Sequence, residues 1–172
     1  MNILFALILA CNLNATTQGQ ASAGIQGDPI GIVNHNPGNI RAHSVKGWKN
    51  AVGLDPWLHI KFKTDLDGLR AIRFVLTAYQ RKHHLNRLDA IVWRWVGPAR
   101  NKAQNRQKEG YLRCIVQHTG IAADGYVDLK DRNVQARLSR AIVIGECGFD
   151  PYPWSLYQEA FNLKGRRHAG KH

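Results

Sequence analysis

The sequence predicts a mainly α domain of the α+β class, with a small β element near its N-terminus. Three observations carry this. Residues 64–163 hold successive segments in which apolar residues recur at helical spacing, each bounded by turn chemistry. Residues 24–63 are instead rich in Gly, Pro, Asn and Trp, with apolar runs too short for helices. With 44% apolar residues and five Trp in 172, the chain can also build a core without metal or many disulfides.

The first segment, 1–23, reads as a leader or an anchor. Ile3 to Leu13 is almost wholly apolar, a polar Asn/Thr/Gln stretch follows, and Ala21-Ser22-Ala23 has the A-x-A form of a secretory cleavage site. No Lys or Arg precedes the run, and Ile8-Leu9-Ala10-Cys11 faintly resembles a lipoprotein processing box, so a retained anchor stays open. The run is short for a membrane span. Residues 24–163 form the expected single domain, and 164–172 a basic tail that is either a solvated end or a polyanion contact.

Within the domain, Ile30–Val33 and Leu58–Phe62 read as strands; Leu58, Ile60 and Phe62 alternate with His59 and Lys61. Thr64 or Asp65 can cap a helix whose face holds Leu69, Ile72, Val75, Leu76 and Tyr79. A second helix runs from about Arg87, with Leu88, Ile91, Val92 and Trp95 on one face, and stops at Gly97-Pro98. Ala99 to Gln107 reads as a polar, basic loop. A third helix carries Tyr111, Leu112, Ile115 and Val116 to Gly120, and Asp124-Gly125 marks a turn. Asp128 to Asp131 resembles a capping box opening a fourth helix that runs to Cys147. The last helix is Trp154 to Leu163.

The charge is lopsided, 24 Lys+Arg against 12 Asp+Glu, or +12. Such a surface attracts polyanions: peptidoglycan or another anionic wall polymer, lipid head groups, or nucleic acid. An export leader would carry the chain away from DNA, and no zinc, RNP or Gly-rich motif is present, so nucleic acid is the least supported partner. Membrane contact is expected only through residues 3–13 if the leader is retained. No cofactor is expected, and no CxxC, HExxH or Cys/His cluster suggests a metal. In an oxidising compartment Cys114 and Cys147 are either a disulfide or two buried thiols.

Chemistry points to Glu146. It ends the apolar stretch Ala141-Ile142-Val143-Ile144-Gly145, where burial raises a carboxyl pKa and leaves a proton to donate to a glycosidic oxygen. Glu109 and Glu159 sit among polar residues. The run Ala141-Ile142-Val143-x-x-Glu146-x-Gly148-Phe149-Asp150-Pro151-Tyr152 resembles the segment that carries the catalytic Glu in lysozyme-like lytic transglycosylases. The Gly-Leu-Met-Gln segment of that family is replaced by Trp154 to Gln158.

A second resemblance begins at Asn36-Pro37-Gly38-Asn39-Ile40-Arg41, followed by Gly47-Trp48. It is similar to an Asn-Asn-Pro-Gly-Asn-Ile-Arg motif of small phage and prophage virion proteins, with His35 in place of the first Asn. The likeness extends through Phe62, Gly68-x-Arg70-Ala71, Leu76, Tyr79-Gln80, Ile91, Trp95-x-x-Pro98 and Tyr111 to Glu146-x-Gly148. The same turn also resembles an Asn-Leu-Phe-Gly-Ile-Lys segment of lysozyme-like glucosaminidases, where the Glu helix comes first. Together these resemblances imply a lysozyme-like fold in circularly permuted order, with the Glu146 helix packed beside the Asn36–Trp48 segment.

The function they imply is glycan-strand cleavage of peptidoglycan, of lysozyme or lytic transglycosylase type, by an exported or virion-associated phage protein. The alternative is a non-catalytic virion structural or wall-binding protein. Glu146 is the expected acid; Asn36, Asn39, Arg41, Trp48 and Tyr152 are the expected substrate contacts. Asn36 to Asn39 is equally readable as a plain β-turn, and Trp48 as core. A hydrolase normally uses two carboxylates. Asp150, Asp55 and Asp65 cannot be given that role from sequence.

Overall fold

Pro29, at φ −50°, leads into the first described helix of the computed structural model, which describes residues 27–163. The leader or anchor expected over 1–23 and the tail over 164–172 lie outside the described residues. The strand expected at Ile30–Val33 is instead a single helical turn, α1 (Ile30–Val33). Four consecutive apolar residues carry no period to tell the two apart. The turn wins because the chain folds straight back: Asn36 N–H donates to Gly31 O at 2.7 Å. A side chain at Gly31 would stand 3.0 Å from both Asn36 O and Asn39 Oδ1.

The β element is smaller than the alternation suggested. Strand β1 (Ala51–Leu54) pairs antiparallel with β2 (Ile60–Phe62), with a bulge at Val52. Leu58 lies outside β2, exposed, at φ 68°. The far edge of β2 is lined by residues 40–42: Ile60 N–H donates to Ile40 O (2.9 Å), Ala42 N–H to Leu58 O (3.0 Å), and Arg41 bridges His59. Asn36 joins these pieces. Its Nδ2 donates to Ile40 O (2.9 Å) and Ile60 O (2.8 Å), and its Oδ1 accepts from Ile40 N–H (3.0 Å).

Side-chain caps then set the helices. Thr64 Oγ1 accepts from Asp67 N–H and opens α2 (Asp65–His83). After α3 (Leu88–Val96), Asn101 accepts from Gln104 N–H and opens α4 (Lys102–Thr119), which ends at Gly120. So two thirds of the expected 99–107 loop, residues 102–107, is helix. Lys102, Arg106 and their neighbours are good helix formers facing solvent, so they leave no apolar stripe. Asp131, rather than Asp128, caps α5 (Arg132–Cys147), accepting from Asn133 and Val134 N–H. Asp128 closes the preceding turn on Lys130 N–H. Pro153 leads into α6 (Trp154–Phe161).

Helix α5 is the hub, packing on α1, α2, α4 and α6. Its small buried residues, Ala136, Ser139 and Ala141, let those neighbours close around Leu138 and Ile142. The core continues through Ile60, Leu69, Ile72, Leu76, Leu88, Ile91, Ile115, Tyr157 and Phe161. The mainly α architecture with a two-stranded sheet is the one expected. None of the described helices is long and apolar enough to cross a membrane.

Candidate functional site

Glu146 sits in the last turn of α5, partly buried. Three side chains from three other parts of the chain donate to it. Asn39 Nδ2 reaches Oε2 at 3.0 Å; Trp95 Nε1 and Tyr111 Oη both reach Oε1 at 3.0 Å. Asn39 comes from the turn after α1, Trp95 from the end of α3 and Tyr111 from α4.

Local backbone chemistry makes each approach possible. Asn39 adopts φ 48°, a left-handed conformation that Asn tolerates, and this aims its amide at α5. Gly145 has no side chain where one would stand 2.9 Å from the Tyr111 ring, so Tyr111 can lie across α5. Gly68 does the same for the turn itself: a Cβ there would meet His35 O at 2.0 Å.

Burial of the Glu146 carboxyl raises its pKa above the ordinary value, because the charged form loses hydration. The bonds from Asn39, Trp95 and Tyr111 pull it back part of the way. Tyr111 is pushed well up, first by burial and then by Glu146, so its hydroxyl remains a donor. The result is an acid that holds a proton more readily than a surface Glu, yet has three donors aimed at its conjugate base. Both Tyr111 and Trp95 occupy Oε1, so the acidic proton belongs on Oε2.

Of the residues singled out in the sequence, Asn39 and Glu146 are brought into direct contact, as a helix packed beside the Asn36–Trp48 segment requires. Asn36 is 0% exposed and its amide is committed to the backbone of residues 40 and 60. Trp48 packs edge-on against Phe62 and Phe74. Tyr152 is buried and donates to Asp65 Oδ1 (3.1 Å), which also meets His35 Nδ1 at 2.8 Å. Asp150 is tied to Arg140 and Tyr157. Cys147 is a free, buried thiol whose Sγ lies 3.6 Å from Pro37 O, so a Cys114–Cys147 disulfide is not formed. The two cysteines sit on different helices, and Cys147 faces the turn after α1.

Arg41 is exposed, and its Nε donates to His59 Nε2 at 3.2 Å. His59 in turn meets Asp55 Oδ2 through Nδ1 at 2.8 Å. Asp55 is buried and also accepts from Asn34 Nδ2 (3.0 Å) and from the N–H groups of Trp57 (2.9 Å) and His59 (2.8 Å). Burial works against this carboxylate, but those bonds outweigh it and hold its pKa below the ordinary range. Trp57, beside this pair, is 46% exposed. Sequence reasoning did not find His59, Trp95 or Tyr111 as site residues. Trp95 and Tyr111 do stand among the positions of the phage-protein resemblance, which is the signal that could have found them. Nothing in the sequence marks the Asp55–His59 pair beyond an i, i+4 spacing.

No family model matches the chain. It is similar to Protein P5 of Pseudoalteromonas phage PM2, with 30% identity over 135 residues, covering 76% of this chain and 79% of that protein.

Proposed function

The chain belongs to the family of Protein P5 of phage PM2, and from the geometry around Glu146 we propose that it cleaves glycan strands of bacterial peptidoglycan, with Glu146 as the proton donor. One observation carries this reading: a partly buried carboxyl at a helix end, surrounded by three neutral donors from three distant segments. Burial keeps the acid available; the donors stabilise the carboxylate as the proton leaves for the glycosidic oxygen. Interactions that strengthen as charge develops lower the barrier rather than merely binding substrate. The oxygen nucleophile is water in a hydrolase, or the sugar's own 6-hydroxyl in a lytic transglycosylase. On this reading the protein acts at the wall, exported or carried by the virion, and the +12 charge holds it to an anionic polymer.

The test is turbidity clearing of purified sacculi. Glu146→Gln is expected to abolish clearing and Glu109→Gln, on the exposed face of α4, to leave it intact. The Gln variant keeps its Oε1 for Trp95 and Tyr111, and a turned Asn39 amide can offer the new Nε2 its Oδ1, which is buried and unpaired. Equal clearing by both variants removes Glu146 from the role.

A second reading has its own observation. The three donors to Glu146 tie α3, α4 and α5 to the N-terminal turn, an arrangement that also serves a non-catalytic scaffold. Retention on sacculi without clearing by the folded wild type would favour it.

A further inference from the structure

The Asp55–His59–Arg41 group is joined to the Glu146 site through the short segment from Asn39 to Arg41 and has no part in the glycan step above. Its geometry fixes a protonation state. Arg41 Nε can only donate, so His59 Nε2 accepts from it and the ring proton sits on Nδ1, facing Asp55 Oδ2. His59 is thus held as a neutral base with its Nε2 lone pair turned toward the exposed Arg41. The ring is nearly enclosed, with its side chain 10% exposed. Arg41 and His59 are a bridged pair on neighbouring chain segments, and Asn39, two residues before Arg41, bonds Glu146. The charged groups bonded to the ring are Asp55, from the turn after β1, and Arg41, from the 40–42 segment.

Resting on the reading of Glu146 above, we propose that His59 is the second proton-handling group of the site, a base that acts through Nε2 with Asp55 as its positioning residue. In the step, the O–H nucleophile bonds to the anomeric carbon and its proton passes to His59 Nε2. The bond from that carbon to the leaving oxygen breaks, and the leaving oxygen takes the proton of Glu146. One proton is gained by the imidazole and one lost by the carboxyl, so the pair ends as imidazolium and carboxylate. Asp55 stabilises the imidazolium through Nδ1. Arg41 leaves Nε2 as the nucleophile enters; its exposed side chain is free to do so.

The experiment measures turnover on sacculi against pH for wild type, His59→Gln, Asp55→Asn and the surface control His118→Gln, together with retention on sacculi and thermal unfolding. His59→Gln is expected to lose about 100-fold or more in kcat with retention unchanged. Asp55→Asn keeps the ring in place. The two backbone N–H groups on Oδ1 require the amide oxygen there, so Nδ2 faces His59 Nδ1 and moves the ring proton to Nε2. Imidazole ¹⁵N shifts are expected to report Nδ1–H in the wild type and Nε2–H in Asp55→Asn, with a comparable loss of turnover. Wild-type turnover in folded His59→Gln overturns the inference while leaving Glu146 in its role. So does an Nε2–H tautomer in the wild type. A folded wild type that clears no sacculi overturns both.

Discussion

Replacing Tyr111 with Phe removes one of the two donors to Glu146 Oε1 and little else. The ring stays where Gly145 makes room for it, and the hydroxyl's other neighbour, Ile142 O, is 3.5 Å away, too far for a strong bond. The bond lost to the ionised carboxylate is worth about 1.5–3 kcal/mol, and to the protonated carboxyl about 0.5–1.5 kcal/mol. The difference, about 1 kcal/mol, raises the Glu146 pKa by roughly 0.7 of a unit. In the wild type that pKa is already raised by burial, so the folded state binds this proton more tightly than the unfolded chain. That contribution is fully present below the unfolded pKa and is lost as pH climbs through the folded one. Tyr111→Phe widens the gap. Its destabilisation is therefore expected to be smaller at about pH 4 than at about pH 8, by about 1 kcal/mol. Urea denaturation of both proteins at each pH measures this directly. An equal difference at both pH values would show that the hydroxyl does not discriminate between the two states of Glu146, and the account of its electrostatics would fail.

Gly68→Ala places a methyl 2.0 Å from His35 O, a backbone atom that cannot swing aside, and is expected to destabilise by about 3 kcal/mol or more. A denaturation midpoint equivalent to less than about 1 kcal/mol of change would contradict the close approach of α2 to the turn. Burial pushes the Cys147 thiol up to about 12, so iodoacetamide at about pH 8 should leave this residue unmodified until the protein is unfolded. Peptide mapping showing native-state alkylation at the rate of an exposed thiol would refute its enclosure.

The helices were legible where a face is buried and a polar residue caps the start. Leu69, Ile72 and Leu76 in α2, and Leu138 and Ile142 in α5, repeat at the helical period because each points into the core. The first turns of α4 were not legible, because Lys102 and Arg106 face water and leave the period blank. Glu146 could be picked out as a carboxylate closing an apolar run, and Asn39 through the motif around it. Trp95 and Tyr111 could not be told from core aromatics, since only one polar atom of each does the work and its direction depends on how three helices pack. His59 was hidden for the same reason: its partner Asp55 is close in sequence, but Arg41 reaches it only through the folded chain.

The contact between Asn39 and Glu146 spans 107 positions, and that between Pro37 and Cys147 spans 110. During synthesis the early turn must wait, its amide facing water, until nearly the entire domain has left the ribosome. Half-made copies therefore carry donors with nothing to enclose, and a carboxyl of raised pKa at this position exists only once the domain is whole.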